Sequence, residues 1–350
     1  MSDGVRERVE AALRAFMHAA TDQLRAIGDE LIPVAEAASE FVLDGGKRLR
    51  PAFCFWGALA AGGEDSEALI HAAASLELLQ ACALVHDDLI DHSDTRRGRP
   101  AVHQRFTDLH RVSGWHGDAA DFGAAAAILL GDVLLAWSEE MFLTSGLHDG
   151  ALRRGQPICA AMRTEVMAGQ YLDVVEQARG GTTVERALRV ARLKSAKYTV
   201  ERPLHLGGAI GRAGEEVLRA YSAFGLPLGE AFQLRDDLLG VFGDPAVTGK
   251  PAGDDLREGK QTVLTALAMQ RAPAADRDLL TDVLGRSDLT NDDVVAARAA
   301  IDSCGATAEV ETMISTRLDD AVAALDGVTL EPIARDALVT LAGAASYRHG

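Results

Sequence analysis

The stretch LVHDDLIDHSDTRRGRPAVH (84–103) sets Asp87, Asp88, Asp91 and Asp94 within eight residues at the end of an apolar run, with Arg96, Arg97 and Arg99 directly behind. On a helix, Asp87 and Asp91 share one face a turn apart, with Asp88 on its shoulder. Carboxylates so placed repel one another, resist desolvation and, at a helix C-terminus, oppose the helix dipole. A cation among them removes all three costs. Mg²⁺ suits hard oxygen donors, keeps several waters and bridges readily to phosphates, so the pattern points to phosphate-ester chemistry. A second apolar segment, EAFQLRDDLLGVFGD (230–244), ends the same way at Asp236 and Asp237. One DD pair means little. Two, each beside cations and facing each other across a cavity, would hold several Mg²⁺ ions around one diphosphate.

The cationic pieces fit that chemistry. GGKRLRP (45–51) packs two glycines, three cations and a proline into a polar junction before a helix, where backbone N–H groups and side-chain cations suit a phosphate. RRGRP (96–100) adds three arginines just past the acids. Lys194 and Ser195 lie in LKSAKYT, and Lys250 and Lys260 lie in the later loop GDPAVTGKPAGDDLREGK (243–260).

These residues need a scaffold, and the chain is large enough to build one. It has 350 residues, 48% of them hydrophobic, and a formal charge of -17. That charge argues against nucleic acid and anionic lipid as partners but not against anionic small molecules, because a metal or a cationic site reverses the local sign. The four cysteines, Cys54, Cys82, Cys159 and Cys304, form no CxxC pair, so reduced thiols are expected. The N-terminus is charged and amphipathic, without an apolar signal core. The longest apolar stretch, 122–137, is interrupted by Asp132 and is short for a bilayer span. We read it as a buried core helix, with Asp132 buried beside a cation or near the active site. A cytoplasmic protein without a transmembrane segment is expected.

Strand signals are scarce, and Ala, Leu, Glu and Arg recur at helical spacing. The spacing predicts helices at 4–28, 31–44, 48–62, 66–92, 118–146, 149–177, 182–213, 214–243, 258–271, 275–286, 290–302, 306–325 and 330–345. This is an all-α chain, a single-domain bundle of roughly 12–14 helices spanning 1–350. Two loops stand out, 93–117 and 243–260, and loops of that length are more often functional than idle.

GGKRLRP, DDLID, RRGRP, GQYLD (169–173), KSA, FQLRDD and a GK-containing loop occur in that order over roughly residues 30–270. In this set the chain resembles the trans-isoprenyl diphosphate synthases of the polyprenyl synthetase family, and most of all their bacterial geranylgeranyl members. The tail 271–345 carries no motif and completes the bundle. The resemblance implies the isoprenoid synthase fold around a central cavity, a homodimer, and head-to-tail addition of isopentenyl diphosphate to an allylic diphosphate. It further implies that Asp87, Asp88, Asp91 and Asp236 bind three Mg²⁺ ions, with Asp237 beside them. Lys47, Arg50, Arg97 and Gln80 would hold isopentenyl diphosphate. Arg96, Lys194, Ser195, Gln233, Lys250 and Lys260 would hold the allylic diphosphate. Ser195 stands where the family usually has Thr, and Gln80 where many members have His; Gln donates a hydrogen bond but cannot become cationic. The second acidic motif has Gly240 in place of its usual third Asp, and Asp244, one turn on, is a substitute. Gln170 and Asp173 would project inward, with Gln170 lining the cavity, and core packing explains Tyr171 equally well. His86, His92 and His103 lack metal-ligand spacing and read as supporting or loop residues.

Physical chemistry agrees. Ionisation of an allylic diphosphate leaves a carbocation, so the site must neutralise the leaving group and exclude water. Gly and Pro would let the 243–260 loop close over the phosphates. One helical turn, about 5.4 Å, is near the length of one isoprene unit, so residues one turn before Asp87 set the product length. Cys82 and Ala83 are small there, which favours the twenty-carbon product over a fifteen-carbon stop; Leu79 and Leu78 form the next floor. Farnesyl or longer products are the alternatives. A terpene cyclase needs no second diphosphate site, so GGKRLRP and Asp236–Asp237 argue against it. A non-catalytic regulatory subunit would be expected to lose one acidic motif.

Overall fold

The computed structural model describes residues 3–244 and 253–346. Among them the chain is helical almost throughout, as expected, and falls into two compact units. One comprises Met1–Ala161, Arg202–Leu218 and Thr329–Leu341; the other comprises Met162–Glu201, Arg219–Val328 and Ala342–Gly350.

In the first unit, α1 (Asp3–Ile27), α2 (Ile32–Leu43), α3 (Leu49–Ala60) and α6 (Ala119–Leu143) surround α4 (Glu67–Ile90). Ser66 caps α4, its hydroxyl accepting from Leu69 N at 3.2 Å. The helix is apolar on nearly every side, which marks a core element, and 72% of its most apolar window is buried. α9 (Arg202–Ile210) crosses α3 closely. A Cβ on Gly207 would overlap the Cys54 carbonyl and lie 2.7 Å from Ala58 N, so only glycine permits that crossing.

α6 departs from the buried helix expected at 122–137. Only 28% of its most apolar window is buried, and Ile128 and Leu129 are exposed. α4 and α6 are both long and apolar enough to cross a membrane by length and composition alone. Asp132 is not buried either; its side chain is 62% exposed, 3.9 Å from His86 Nε2.

The composition of 93–117 predicts a loop, yet α5 (Val102–Ser113) forms within it and packs on α6. Its buried face is Val102, His103, Phe106, Thr107 and His110. Three of these five are polar, so hydropathy carried no signal. Gly123 admits the contact, since a Cβ there would overlap His103 O and Thr107 Oγ1.

In the second unit, α10 (Glu215–Phe242) turns Ala231, Leu234, Leu238 and Val241 toward a core shared with Val263–Arg271, Asn291–Ser303 and Ala306–Ala323. The residues 192–201, expected as plain helix, form a π-helical stretch, Arg192–Glu201, between α8 (Val184–Ala191) and α9. Pro203, just beyond, has no N–H for the regular ladder.

Candidate active site

The first acidic cluster is held by the end of α4. Asp91 is the C-cap and His92 adopts φ 54°. Ser93 N donates to Asp88 O at 2.9 Å and His92 N to Leu89 O at 3.4 Å. These are the paired bonds of a Schellman motif. A hairpin follows at once, Thr95–Arg96 against Arg99–Pro100. Its two-residue turn is Arg97-Gly98, with φ 54° and 74°, positive at both positions as a type I′ turn requires. Helix stop and hairpin together fold Arg96 back onto Asp88, while Arg97 and Arg99 reach Asp44 instead. Arg96 Nε donates to Asp88 Oδ1 at 2.8 Å, and Asp88 is fully buried. His103 lies near Asp88 and Asp94; burial pushes its pKa down while these two carboxylates oppose the shift.

The basic turn 45–51 divides its cations. Arg48, at φ 51°, turns inward and is buried; it donates to Glu77 Oε2 at 2.8 Å and to Val42 O at 2.9 Å. Lys47 is exposed and Arg50 half-buried. Arg97 reaches this turn, its Nη1 donating to Asp44 O at 2.5 Å. The expected grouping of Lys47, Arg50 and Arg97 therefore gathers around one loop.

Below the acids, α4 separates the floor candidates. Gln80 and Ala83 are half-buried and lie on the Asp87 side of the helix. Leu78, Leu79 and Cys82 are buried. The Cys82 thiol lies 3.9 Å from His86 Nδ1, and burial pushes it up to about 12.

In the second unit, Gly169 of GQYLD brings α7 (Asp149–Arg179) onto the π-helical stretch. A Cβ there would stand 2.6 Å from Lys194 N. The same approach lets Lys194 Nζ donate to Asp173 Oδ2 at 2.7 Å. On the other side Gly229 of α10 lies against Ala196, where a Cβ would come 2.9 Å from Ala196 O. Ser195 is buried. GQYLD and KSA are thus two halves of one packing arrangement that fixes Lys194. Gln170 is half-buried with its Nε2 unpaired. Tyr171 is 69% exposed, so core packing does not account for it.

On α10, Gln233 Nε2 donates to Asp237 Oδ1 at 2.8 Å. Burial pushes the Asp237 carboxyl up to about 8; Asp255 and Asp236 add to the shift, while Gln233 and Lys260 oppose it. Asp236 is half-buried. Lys260 Nζ lies 2.7 Å from Glu258 Oε2 and 3.6 Å from Asp255 Oδ1. Lys250 lies outside the described residues.

Among the described residues, no three His, Cys, Asp or Glu side chains are grouped to hold a metal ion. Mg²⁺ does not need such a cage, since it takes one or two carboxylates and completes its shell with water and substrate phosphate. The half-buried carboxylates on α4 and α10 fit that demand.

Residues 33–301 match the polyprenyl synthetase family. The chain belongs to that family. This polyprenyl synthetase superposes on the geranylgeranyl pyrophosphate synthase of Corynebacterium glutamicum, solved with isoprenyl diphosphate and magnesium, with a TM-score of 0.96 at 42% identity over 100% of both chains. It is 33% identical to the geranylfarnesyl diphosphate synthase of Aeropyrum pernix over 76% of this chain and 79% of that one. It is 35% identical to a (2E,6E)-farnesyl diphosphate synthase of Mycobacterium tuberculosis over 78% of this chain and 73% of the other. As a polyprenyl synthetase the chain is a trans-prenyltransferase. Its relatives of similar identity carry three different product names, so identity alone does not choose among lengths. The matched segment also runs beyond 270, the end of the motif-bearing stretch.

Proposed function

We propose that this chain is a Mg²⁺-dependent geranylgeranyl diphosphate synthase. It condenses isopentenyl diphosphate head-to-tail with dimethylallyl, geranyl or farnesyl diphosphate and releases diphosphate. The observation that carries the length is Ala83: a small, half-buried residue one turn below Asp87 on the same face. No bulky side chain at that position stops growth at fifteen carbons. Leu79 and Cys82 stand behind it as the deeper floor and wall. The C. glutamicum enzyme supports the same reading.

In this reading Asp87, Asp88, Asp91 and Asp236 hold three Mg²⁺ ions, with Asp237 beside Asp236. When bound, Mg²⁺ neutralises the charge that builds on the departing diphosphate. Lys47, Arg50, Arg97 and Gln80 bind isopentenyl diphosphate. Arg96, Lys194, Ser195, Gln233, Lys250 and Lys260 bind the allylic diphosphate, and Gln170 offers its unpaired amide to the same substrate. The apolar residues below Asp87 keep water from the carbocation, and the proton lost after addition passes to the released diphosphate. The whole chain serves as one catalytic domain. It works in the cytoplasm as a homodimer, whose partner covers the apolar face of α6 at Ile128 and Leu129.

The test is product analysis. Purified protein, Mg²⁺ and labelled isopentenyl diphosphate are incubated separately with five-, ten- and fifteen-carbon primers, and the dephosphorylated products are sized. A twenty-carbon alcohol is expected. A fifteen-carbon stop overturns the length assignment but keeps the enzyme class. No elongation by folded protein moves the assignment to a regulatory subunit.

A further inference from the structure

A buried carboxylate on α10 joins three elements of the second unit. α10 lies against the π-helical stretch at two glycines one turn apart. A Cβ on Gly225 would stand 2.9 Å from Glu201 Cα, and one on Gly229 would overlap Ala196 Cα. The next residue, Glu230, reaches the first residue of that stretch. Its side chain is 5% exposed, and its carboxylate is forked between two guanidiniums. Oε1 accepts from Arg192 Nε, and Oε2 accepts from Arg317 Nε at 2.5 Å. Arg317 lies on the helix Ala306–Ala323, in the tail that carries no motif.

A second clamp fixes the same two helices. Arg235 Nη1 and Nη2 donate to Glu311 Oε1 and Oε2 at 2.6 and 2.7 Å, the bidentate geometry that specifies orientation as well as charge. Passing from Glu230 to Arg235 on α10 leads from Arg317 back to Glu311, so the helices run antiparallel and their relative slide is pinned at both points. Arg192 stands two residues before Lys194, while Gln233 and Asp236 follow Glu230 by three and six residues on α10. π-Helical turns are rare and frequent at functional sites. Asp173 holds the Lys194 ammonium; Glu230 holds the start of the backbone run that carries it.

We propose that Glu230 is a positioning residue for the allylic diphosphate. Through Arg192 it keeps the stretch bearing Lys194 in register with the part of α10 bearing Gln233 and Asp236, and through Arg317 the tail helix braces it. The role rests on the proposed binding of that diphosphate and its Mg²⁺ by Lys194, Gln233 and Asp236. Ligands drawn from two elements fail together when one element shifts, and a misplacement of about 1 Å can cost on the order of 10²-fold in rate. Positioning and simple attraction have opposite signs here. Glu230→Gln frees positive charge, which would tighten binding if Arg192 merely attracted phosphate. If Glu230 positions the stretch, binding weakens, because the two guanidiniums are left to repel each other.

The experiment measures binding of geranyl diphosphate with Mg²⁺ by calorimetry, with isopentenyl diphosphate binding and thermal melting followed alongside. It compares the unaltered chain with Glu230→Gln, Arg192→Met, Arg192→Gln and Glu311→Gln. Glu230→Gln and Arg192→Met should weaken geranyl diphosphate binding by about 10-fold or more and leave isopentenyl diphosphate binding unchanged. Arg192→Met leaves Glu230 paired with Arg317 and should melt as the unaltered chain does. Arg192→Gln loses the charge but places an amide donor where Arg192 Nε stood, so it should recover most of the affinity lost in Arg192→Met. Glu311→Gln loosens only the second clamp and should leave binding unchanged. Tighter binding by Glu230→Gln would overturn the proposal. So would equal weakening in Arg192→Gln and Arg192→Met, unchanged binding in Arg192→Met, or a loss in Glu311→Gln as large as in Arg192→Met. Elongation by the unaltered chain is assayed separately. Its absence would sink the synthase reading and leave Glu230 to stand or fall on diphosphate binding, whereas no binding of geranyl diphosphate by the unaltered chain would overturn both.

Discussion

The Arg96 guanidinium closes on the buried carboxylate of Asp88, with Nε 2.8 Å from Oδ1 and 3.2 Å from Oδ2. This resolves the physical problem of four acids at the end of an apolar helix: the most deeply buried one carries its own counter-charge, delivered by a hairpin. Removing one partner of such a pair strands a buried charge. Arg96→Met is expected to lower unfolding free energy by about 3–5 kcal/mol and to abolish turnover. The double variant with Asp88→Leu should regain stability in urea unfolding without regaining turnover.

The basic turn separates structure from binding within two residues. Arg48→Met breaks the buried pair with Glu77 and should cost about 3–5 kcal/mol. Lys47→Ala, on the exposed side, should stay within about 0.5 kcal/mol of the unaltered chain but raise KM for isopentenyl diphosphate. Urea titration alongside steady-state kinetics distinguishes them; equal stability losses would contradict the division.

Ala83 and Cys82 are adjacent in sequence but differ in surroundings. Ala83→Phe should shorten the product with little change in melting temperature. Cys82→Phe must displace His86 and should instead cost about 1–3 kcal/mol through overpacking. Product sizing and melting of both variants check the pair. An unchanged product length in Ala83→Phe would remove the floor assignment.

Gly169→Ala would drive a methyl group into the backbone of Lys194, at 2.6 Å from its N. We expect a loss of about 1–3 kcal/mol and a raised KM for the allylic diphosphate, because the Lys194–Asp173 pair is carried by the same approach. Wild-type kinetics in this variant would show that Lys194 is not positioned this way.

Stability should also respond to pH at the start of α6. The Asp118 carboxylate accepts from Asp121 N at 3.0 Å and Ala120 N at 2.8 Å, and these bonds hold its pKa below the usual aspartate range. A lowered pKa means the cap stabilises the fold above the ordinary value, about 3.9, and is lost as pH falls through the folded-state pKa. Asp118→Ala should therefore melt below the unaltered chain at pH 7, and the gap should close as pH falls through the lowered pKa of the folded state. A gap independent of pH would exclude the ionised cap.

The helical class and the order of the motifs are legible in the residues alone, as are the carboxylates and cations proposed to carry the chemistry. These are local properties: the spacing predicts a helix over 66–92 and α4 runs Glu67–Ile90, because helix-forming residues and a capping serine act within a few turns. α5 was hidden because its buried face uses His103, Thr107 and His110, whose burial is set by α6 and Gly123. Where each cation lands followed from packing between distant segments: Arg48 turns in on Glu77, and Arg96 lies on Asp88. Only the tertiary structure decided that Cys82 faces His86 while Ala83 stays open, and that Asp255, not Asp244, reaches the gap at Gly240. Each of these depends on contacts between segments distant in sequence, and such contacts depend on shape and exclusion rather than on the character of neighbouring residues.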